Sequence, residues 1–262
     1  MRRAIPIAVA AIAAVTLVSG PCAAQTHPTL LRWLGHGFFV LATRNDIKVA
    51  IDPFEDSALE YVLPEQISAN VALVTRESRL SDATTRLSGN PEVFRSTTAT
   101  GINRGSGLTF VGIPTYVEPD RGALGGRNIV FVFEADGLRF AFAGVLNQRL
   151  ESSQIRTAGT IDILVAGFGP RLGPAGLLAT AAELGAKVVI PAAYRTPLSG
   201  DVGAPDIAPL ADQARRFDTT TIPLSKADLP NKTEVWMLAI PDPGRRKAEG
   251  IDFPGMREKN SE

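Results

Sequence analysis

A layered α/β architecture is written into this 262-residue chain by three features. Short apolar runs broken by turn residues fill its first half, the signature of strands. An Asp136-Gly137 pair sits between two long apolar runs, and Asp-Gly is a strong hairpin signal because both turn positions take positive φ. In the second half, compact apolar runs alternate with helical stretches, the order of a sheet with helices packed on it.

Taken in order, Leu30 to Leu34 and Phe38 to Ala42 read as two strands around a Gly35-His36-Gly37 turn. Lys48 to Ile51 is a third strand, ended by Asp52-Pro53, and Val71 to Val74 is a buried one. Leu108 to Ile113, Ile129 to Phe133 and Leu138 to Phe142 follow, the last two flanking the hairpin turn. Ile161 to Val165 and Val188 to Ile190 are compact apolar strands, and Glu234 to Ile240 is the final one. Ala175 to Leu184 is rich in Ala and Leu and predicts a helix. Pro205 to Phe217 predicts a second. With no internal repeat or linker, residues 25–240 form one domain. Residues 241–262 are rich in Pro, Gly and charge, including Arg245-Arg246-Lys247, and predict an exposed, flexible tail.

The first residues predict export. Arg2 and Arg3 precede an uncharged, almost wholly apolar run from Ala4 to Val18, about 15 residues and too short for a membrane span. Cys22-Ala23-Ala24 supplies a small-residue cleavage site, giving a signal peptide over 1–24 and a mature protein that starts at Gln25 in the periplasm or outside the cell. Cleavage removes the chain's only cysteine, so disulfides, thiolate ligands and cysteine nucleophiles are excluded. It also removes two of 27 basic residues, leaving 25 against 27 acidic ones and a net charge of −2. That balance argues against nucleic acid and anionic membrane as partners. No stable membrane insertion is expected after cleavage.

Four segments carry a resemblance to a known family. They are Leu34-Gly35-His36-Gly37-Phe38 with Ile51-Asp52-Pro53-Phe54; Arg127-Asn128-Ile129-Val130-Phe131 running through Asp136-Gly137-Leu138-Arg139; Asp162-Ile163-Leu164-Val165; and Val188-Val189-Ile190-Pro191 with Tyr194. In order and spacing these resemble the metallo-β-lactamase superfamily, in particular its lactonase and phosphodiesterase-like branch, over Leu30 to Pro197. The resemblance implies a four-layer αββα sandwich with a metal site at one edge of the two sheets, and hydrolytic activity.

The metal ligands that the resemblance implies are missing. Where the family has a histidine-x-histidine-x-aspartate-histidine motif, this chain reads Arg76-Glu77-Ser78-Arg79-Leu80-Ser81, with Asp82 one place out of register. Further ligand positions fall on Val117, Val145 and Ala193, and a histidine position on Phe142. Zinc needs His nitrogen, Cys sulfur or carboxylate oxygen, and at least three protein ligands at a catalytic centre. The chain holds two histidines, His27 and His36. Arginine has no lone pair to offer, and valine, leucine, phenylalanine and alanine carry no donor atom. No metal or other cofactor is therefore expected, and no metal-activated water.

The polar residues left near that edge are the candidates for binding: His36, Asp52, Arg76, Glu77, Tyr116, Asn128 and Tyr194. His36 reads either as a ligand contact or as a turn histidine bonded to backbone. Asp52 reads as a remnant of the site or as a cap before Pro53. Arg76, Glu77, Arg79 and Asp82 read as an anion-binding loop or a mutually paired surface. Asn128 orders the entry to its strand, and Tyr116 and Tyr194 flank missing ligands. No substitute catalytic set is evident. Two functions remain open: a non-catalytic protein that binds a small molecule or a protein partner in the cleft, and a hydrolase with residual or metal-independent activity there.

Overall fold

The structure is a computed structural model that describes residues 28–116 and 126–241, together with Phe253, Pro254, Met256 and Arg257. The expected signal peptide, Val117 and the Arg245-Arg246-Lys247 run lie outside the described residues. In chain order the first strands are β1 (Thr29–Gly35), β2 (Phe38–Ala42), β3 (Lys48–Ile51), β4 (Gln66–Ser68), β5 (Val71–Val74), β6 (Leu87–Ser88) and β7 (Glu92–Arg95). Next come β8 (Gly101–Gly105), β9 (Leu108–Tyr116), β10 (Arg127–Ala135), β11 (Leu138–Leu146), β12 (Ile163–Phe168) and β13 (Val188–Pro191). The last are β14 (Arg215–Arg216), β15 (Thr221–Leu224), β16 (Glu234–Met237) and β17 (Met256–Arg257). The α-helices are α1 (Ser152–Ala158), α2 (Gly173–Glu183) and α3 (Ala208–Ala211).

Two sheets stack face to face. One has the order β15-β1-β2-β3-β5-β7 and the other β14-β16-β13-β12-β11-β10-β9-β8. The alternation of side chains along each strand explains the stacking. Leu31, Trp33, Phe39, Leu41, Val49, Ile51, Val71 and Leu73 join the core shared with the larger sheet. Their sequence neighbours Leu30, Leu34, Phe38, Val40, Ala50 and Ala72 join a second core on the outer face. Between the sheets Phe110, Phe133, Phe140 and Phe142 stack, with Phe133 5.0, 5.6 and 5.8 Å from the other three rings. Each fully buried ring contributes roughly 1.5–3 kcal/mol. Asp136 (φ 54) and Gly137 (φ 81) form the predicted hairpin between β10 and β11. Asp136 Oδ2 also accepts from Thr29 Oγ1 at 2.5 Å and Arg44 N at 2.8 Å, tying the hairpin to the other sheet.

The expected α/β fold of four layers is present, with unequal outer layers. All three helices pack on the eight-stranded sheet, against β9, β12 and β16. The outer face of the six-stranded sheet is covered instead by the loop carrying Phe54, Leu59, Tyr61 and Leu63 and by a small sheet, β17-β4-β6. Two expectations need correction. The helix expected over Pro205 to Phe217 is only the single turn α3, because Arg215 and Arg216 leave it to pair in parallel with Trp236 and Met237. Strand pairing overrides local propensity there, and the Arg215 guanidinium stacks 5.1 and 5.2 Å from the rings of Phe217 and Trp236. The tail is not free at its described residues. Phe253 is buried in the outer core, β17 pairs with β4, and Arg32 packs over the Phe253 ring at 5.9 Å.

Candidate functional site

The carboxyl ends of β3, β5 and β13 meet the β11 bulge at one rim of the sandwich. Such ends leave backbone and side chains free to face a ligand, which is why α/β folds place sites there. They enclose a cavity of about 70 Å³, room for a few water-sized groups. His36, Asp52 and Thr75 supply its polar floor. Arg76, Ser78, Leu80, Ser81, Phe142, Val145 and Ala193 are among its other lining residues.

The backbone around this cavity is strained. His36 (φ 48), Asp52 (φ 49) and Ala193 (φ 53) all lie in the left-handed region, which is unfavourable for residues with a Cβ. Each is held by its neighbours. Ala193 N donates to the His36 carbonyl at 3.0 Å, and Trp33 Nε1 donates to the same oxygen at 3.0 Å. Asp52 is held at both oxygens: Thr75 N donates to Oδ1 at 2.7 Å and Thr75 Oγ1 to Oδ2 at 2.6 Å. Gly144 (φ 58) must be glycine, since a Cβ there would lie 2.3 Å from Thr75 Oγ1.

Burial sets the charge state of both polar groups. Desolvation pushes the Asp52 carboxyl up to about 7, against the pull of the two Thr75 hydrogen bonds. Desolvation likewise lowers the His36 imidazole to about 4, so it is neutral at pH 7. His36 Nδ1 is buried and has no hydrogen-bond partner among the described residues. The ring is therefore not the backbone-bonded turn histidine of one expectation. Asp52 is a clamp between the ends of β3 and β5 rather than a local cap before Pro53.

Of the residues expected near the site, the fold brings His36, Asp52 and Arg76 to the cavity and leaves the others elsewhere. Glu77 faces out and pairs with Arg95 at 2.8 Å instead of with its own loop. Tyr116 ends β9 opposite Arg127. Asn128 donates to Thr115 Oγ1 and to the Ala143 carbonyl, at 2.7 and 2.9 Å, and so braces three strands behind the cavity. Tyr194 turns away from Ala193 and lines a different feature, an open groove of about 770 Å³. Ala211 of α3, its cap residue Ile207, Phe217 and Leu238 give that groove apolar walls, and Arg195 and Arg216 stand at it. Sequence reading missed this groove because its residues are scattered from 194 to 240. It also missed Thr75, whose only signal is that it follows an apolar strand.

Residues 30–193 match a family profile described as a beta-lactamase superfamily domain, which spans more than half of the chain. The chain belongs to the metallo-β-lactamase superfamily. An inferred Zn-dependent hydrolase of this superfamily from Thermotoga maritima is 25% identical, over 81% of this chain and 99% of that one, with a TM-score of 0.66. A variant of CmlA, a diiron β-hydroxylase from Streptomyces venezuelae, shares the fold at a TM-score of 0.53 and 13% identity, over 82% of this chain and 53% of that one. No curated protein matches the sequence.

The superfamily's metal does not fit the residues present. All seven cavity positions at which the resemblance implies ligands or their neighbours carry arginine, serine or hydrocarbon side chains, and serine hydroxyls are poor partners for zinc. Ser81 Oγ is also committed as a donor to the Arg76 carbonyl at 2.7 Å. Among the described residues no three His, Cys, Asp or Glu side chains are grouped to hold an ion. His36 and Asp52 alone fall short of the three ligands a catalytic centre needs.

Proposed function

We propose that this protein is an exported, metal-independent member of the superfamily that binds a small molecule or a protein partner without hydrolysing it. The observation that carries this reading is the convergence of Arg76, Ser78, Leu80, Ser81, Phe142, Val145 and Ala193 on one cavity. They come from separate strands and loops, yet none brings a good metal donor. The apolar members fill the space with hydrocarbon, so the cavity is self-consistent without an ion. Export rests on the Arg2-Arg3, Ala4 to Val18 and Cys22-Ala23-Ala24 pattern. Among the described residues no helix is long and apolar enough to cross a membrane.

Thermal melting with zinc and with chelator tests the reading. A resident ion at a hundred times its Kd would stabilise the fold by about 2.7 kcal/mol. The expected result is an unmoved melting temperature in both arms. A rise with zinc that chelator reverses would overturn it.

A second reading, metal-independent hydrolysis, is favoured by one observation. The Asp52 carboxyl is held at about 7, where a general base works best at neutral pH. It requires chelator-resistant turnover of an activated ester such as p-nitrophenyl acetate. The rate must show an inflection near pH 7 that Asp52→Asn abolishes. A rate equal to that of buffer eliminates this reading.

A further inference from the structure

The groove beside the cavity lies outside the carboxyl ends of three mutually parallel strands, β13, β16 and β14. Segments leaving those ends form its walls: Tyr194 to Leu198, Phe217 and Asp218, and Leu238 to Ile240. This is the position at which open parallel sheets take ligands. Its volume of about 770 Å³ falls within the range of small-molecule sites, whereas the cavity at about 70 Å³ does not. Ile240 packs against both hydrophobic cores, so the groove opens where the two apolar layers reach the surface.

Its polar groups are few and placed together. The Tyr194 ring is buried to 3% exposure and lines the groove. The ring is fixed against Trp33, with centroids 5.4 Å apart. Arg216 is exposed, keeps one bond from Nη2 to the Ala211 carbonyl at 3.1 Å, and lines the same groove as Tyr194. Burial keeps that phenol protonated, so it can donate. Asp206 and Asp218 also line the groove, and the guanidiniums of Arg195 and Arg216 balance their charge. A phenol O–H and a guanidinium lining one groove offer two donors to an anion. The adjoining Ile207, Ala211, Phe217 and Leu238 offer hydrocarbon rather than further hydrogen bonds.

We propose that this groove is a binding site for an amphiphilic anion, a carboxylate on an apolar chain or ring, with its head on Arg216 and Tyr194 and its body along α3 and Phe217. The site needs no metal and is separate from the cavity, so it stands or falls independently of the function proposed above.

Both tryptophans of the chain report on it, Trp33 through Tyr194 and Trp236 through Phe217, whose rings are 5.2 Å apart. The test is a tryptophan-emission titration of the full chain with decanoate, decanol and decyltrimethylammonium, each below its micelle concentration. Decanoate is expected to give a saturable change and to bind about tenfold more tightly than decanol, the gain of one charge-assisted contact. The cationic amphiphile should bind no better than decanol. Arg216→Gln should bring decanoate down to the decanol level, and Tyr194→Phe should weaken it severalfold, both at an unchanged melting temperature. Absence of a saturable change with decanoate would overturn the proposal. So would equal affinity for the cationic amphiphile, or an Arg216→Gln titration that matches wild type.

Discussion

Two neighbours in sequence, Ala193 and Tyr194, open on opposite surroundings. Ala193 lines a small cavity walled by strained backbone and hydrocarbon. Tyr194 lines a groove about ten times larger, with unstrained apolar walls and a cation at its side. The cavity is where the superfamily's fold focuses strand ends, and it keeps that geometry without the donors. The groove has the volume of a small-molecule site and two guanidiniums at it. A fold's focal point and its most capable binding surface need not coincide, since side chains decide what a backbone arrangement can do.

If the cavity is a packed, settled element and the groove a free surface, substitutions in the two must differ in stability effect. The largest effect is expected at the cavity wall. Phe142→Ala removes a ring buried to 1% exposure and stacked on Phe133 and Phe140, and should cost about 3–5 kcal/mol in denaturant unfolding. A loss under 1 kcal/mol would mean the cavity is loosely packed. Gly144→Ala should cost about 2–4 kcal/mol, from left-handed strain and the collision with Thr75.

The two buried polar groups give the cavity a pH signature that the groove lacks. Asp52, raised from 3.8 to about 7, keeps its proton in the folded state where the unfolded chain has lost it. Its stabilisation is full below about pH 4 and lost as pH rises through 7. His36, lowered from 6.5 to about 4, behaves oppositely: its contribution is full above 6.5 and lost as pH falls toward 4. Between about pH 4 and 6.5 the two slopes cancel. Relative to wild type, Asp52→Asn should therefore gain stability as pH rises from 4 to 7, and His36→Asn should lose it from 4 to 6.5. Each slope is bounded by about 1.4 kcal/mol per pH unit. Parallel curves for the variants and wild type would show that neither group is perturbed.

Smaller effects separate strained from relaxed backbone. Ala166→Gly, inside β12 and fully buried, should cost about 1 kcal/mol or more. Ala193→Gly should change stability by less than about 0.5 kcal/mol, because relief of its positive φ offsets the added freedom of the unfolded chain. Arg216→Gln at the groove should stay within about 0.5 kcal/mol of wild type in the absence of ligand.

What could be read from the sequence follows from how local each signal is. The Asp136-Gly137 turn and the apolar runs of β1, β2, β3 and β5 are local patterns, and each appears where expected. The cavity was legible through ordered motifs, since Arg76, Val145 and Ala193 meet as the resemblance implied. The α3 region was misread because Arg215 and Arg216 obey a strand partner about twenty residues downstream, Trp236 and Met237. The return of Phe253 to the outer core was hidden by the charge of its surroundings. The groove was invisible because its walls come from three strand ends and one helical turn, with no motif of its own.

The superfamily's metal position is lined here by side chains that cannot hold an ion. Zinc content of the full protein, loaded with excess zinc, dialysed and counted by elemental mass spectrometry, tests it most directly. Less than about a tenth of an equivalent per chain is expected. Retention of about one or two equivalents would contradict it and require a ligand set beyond His36 and Asp52.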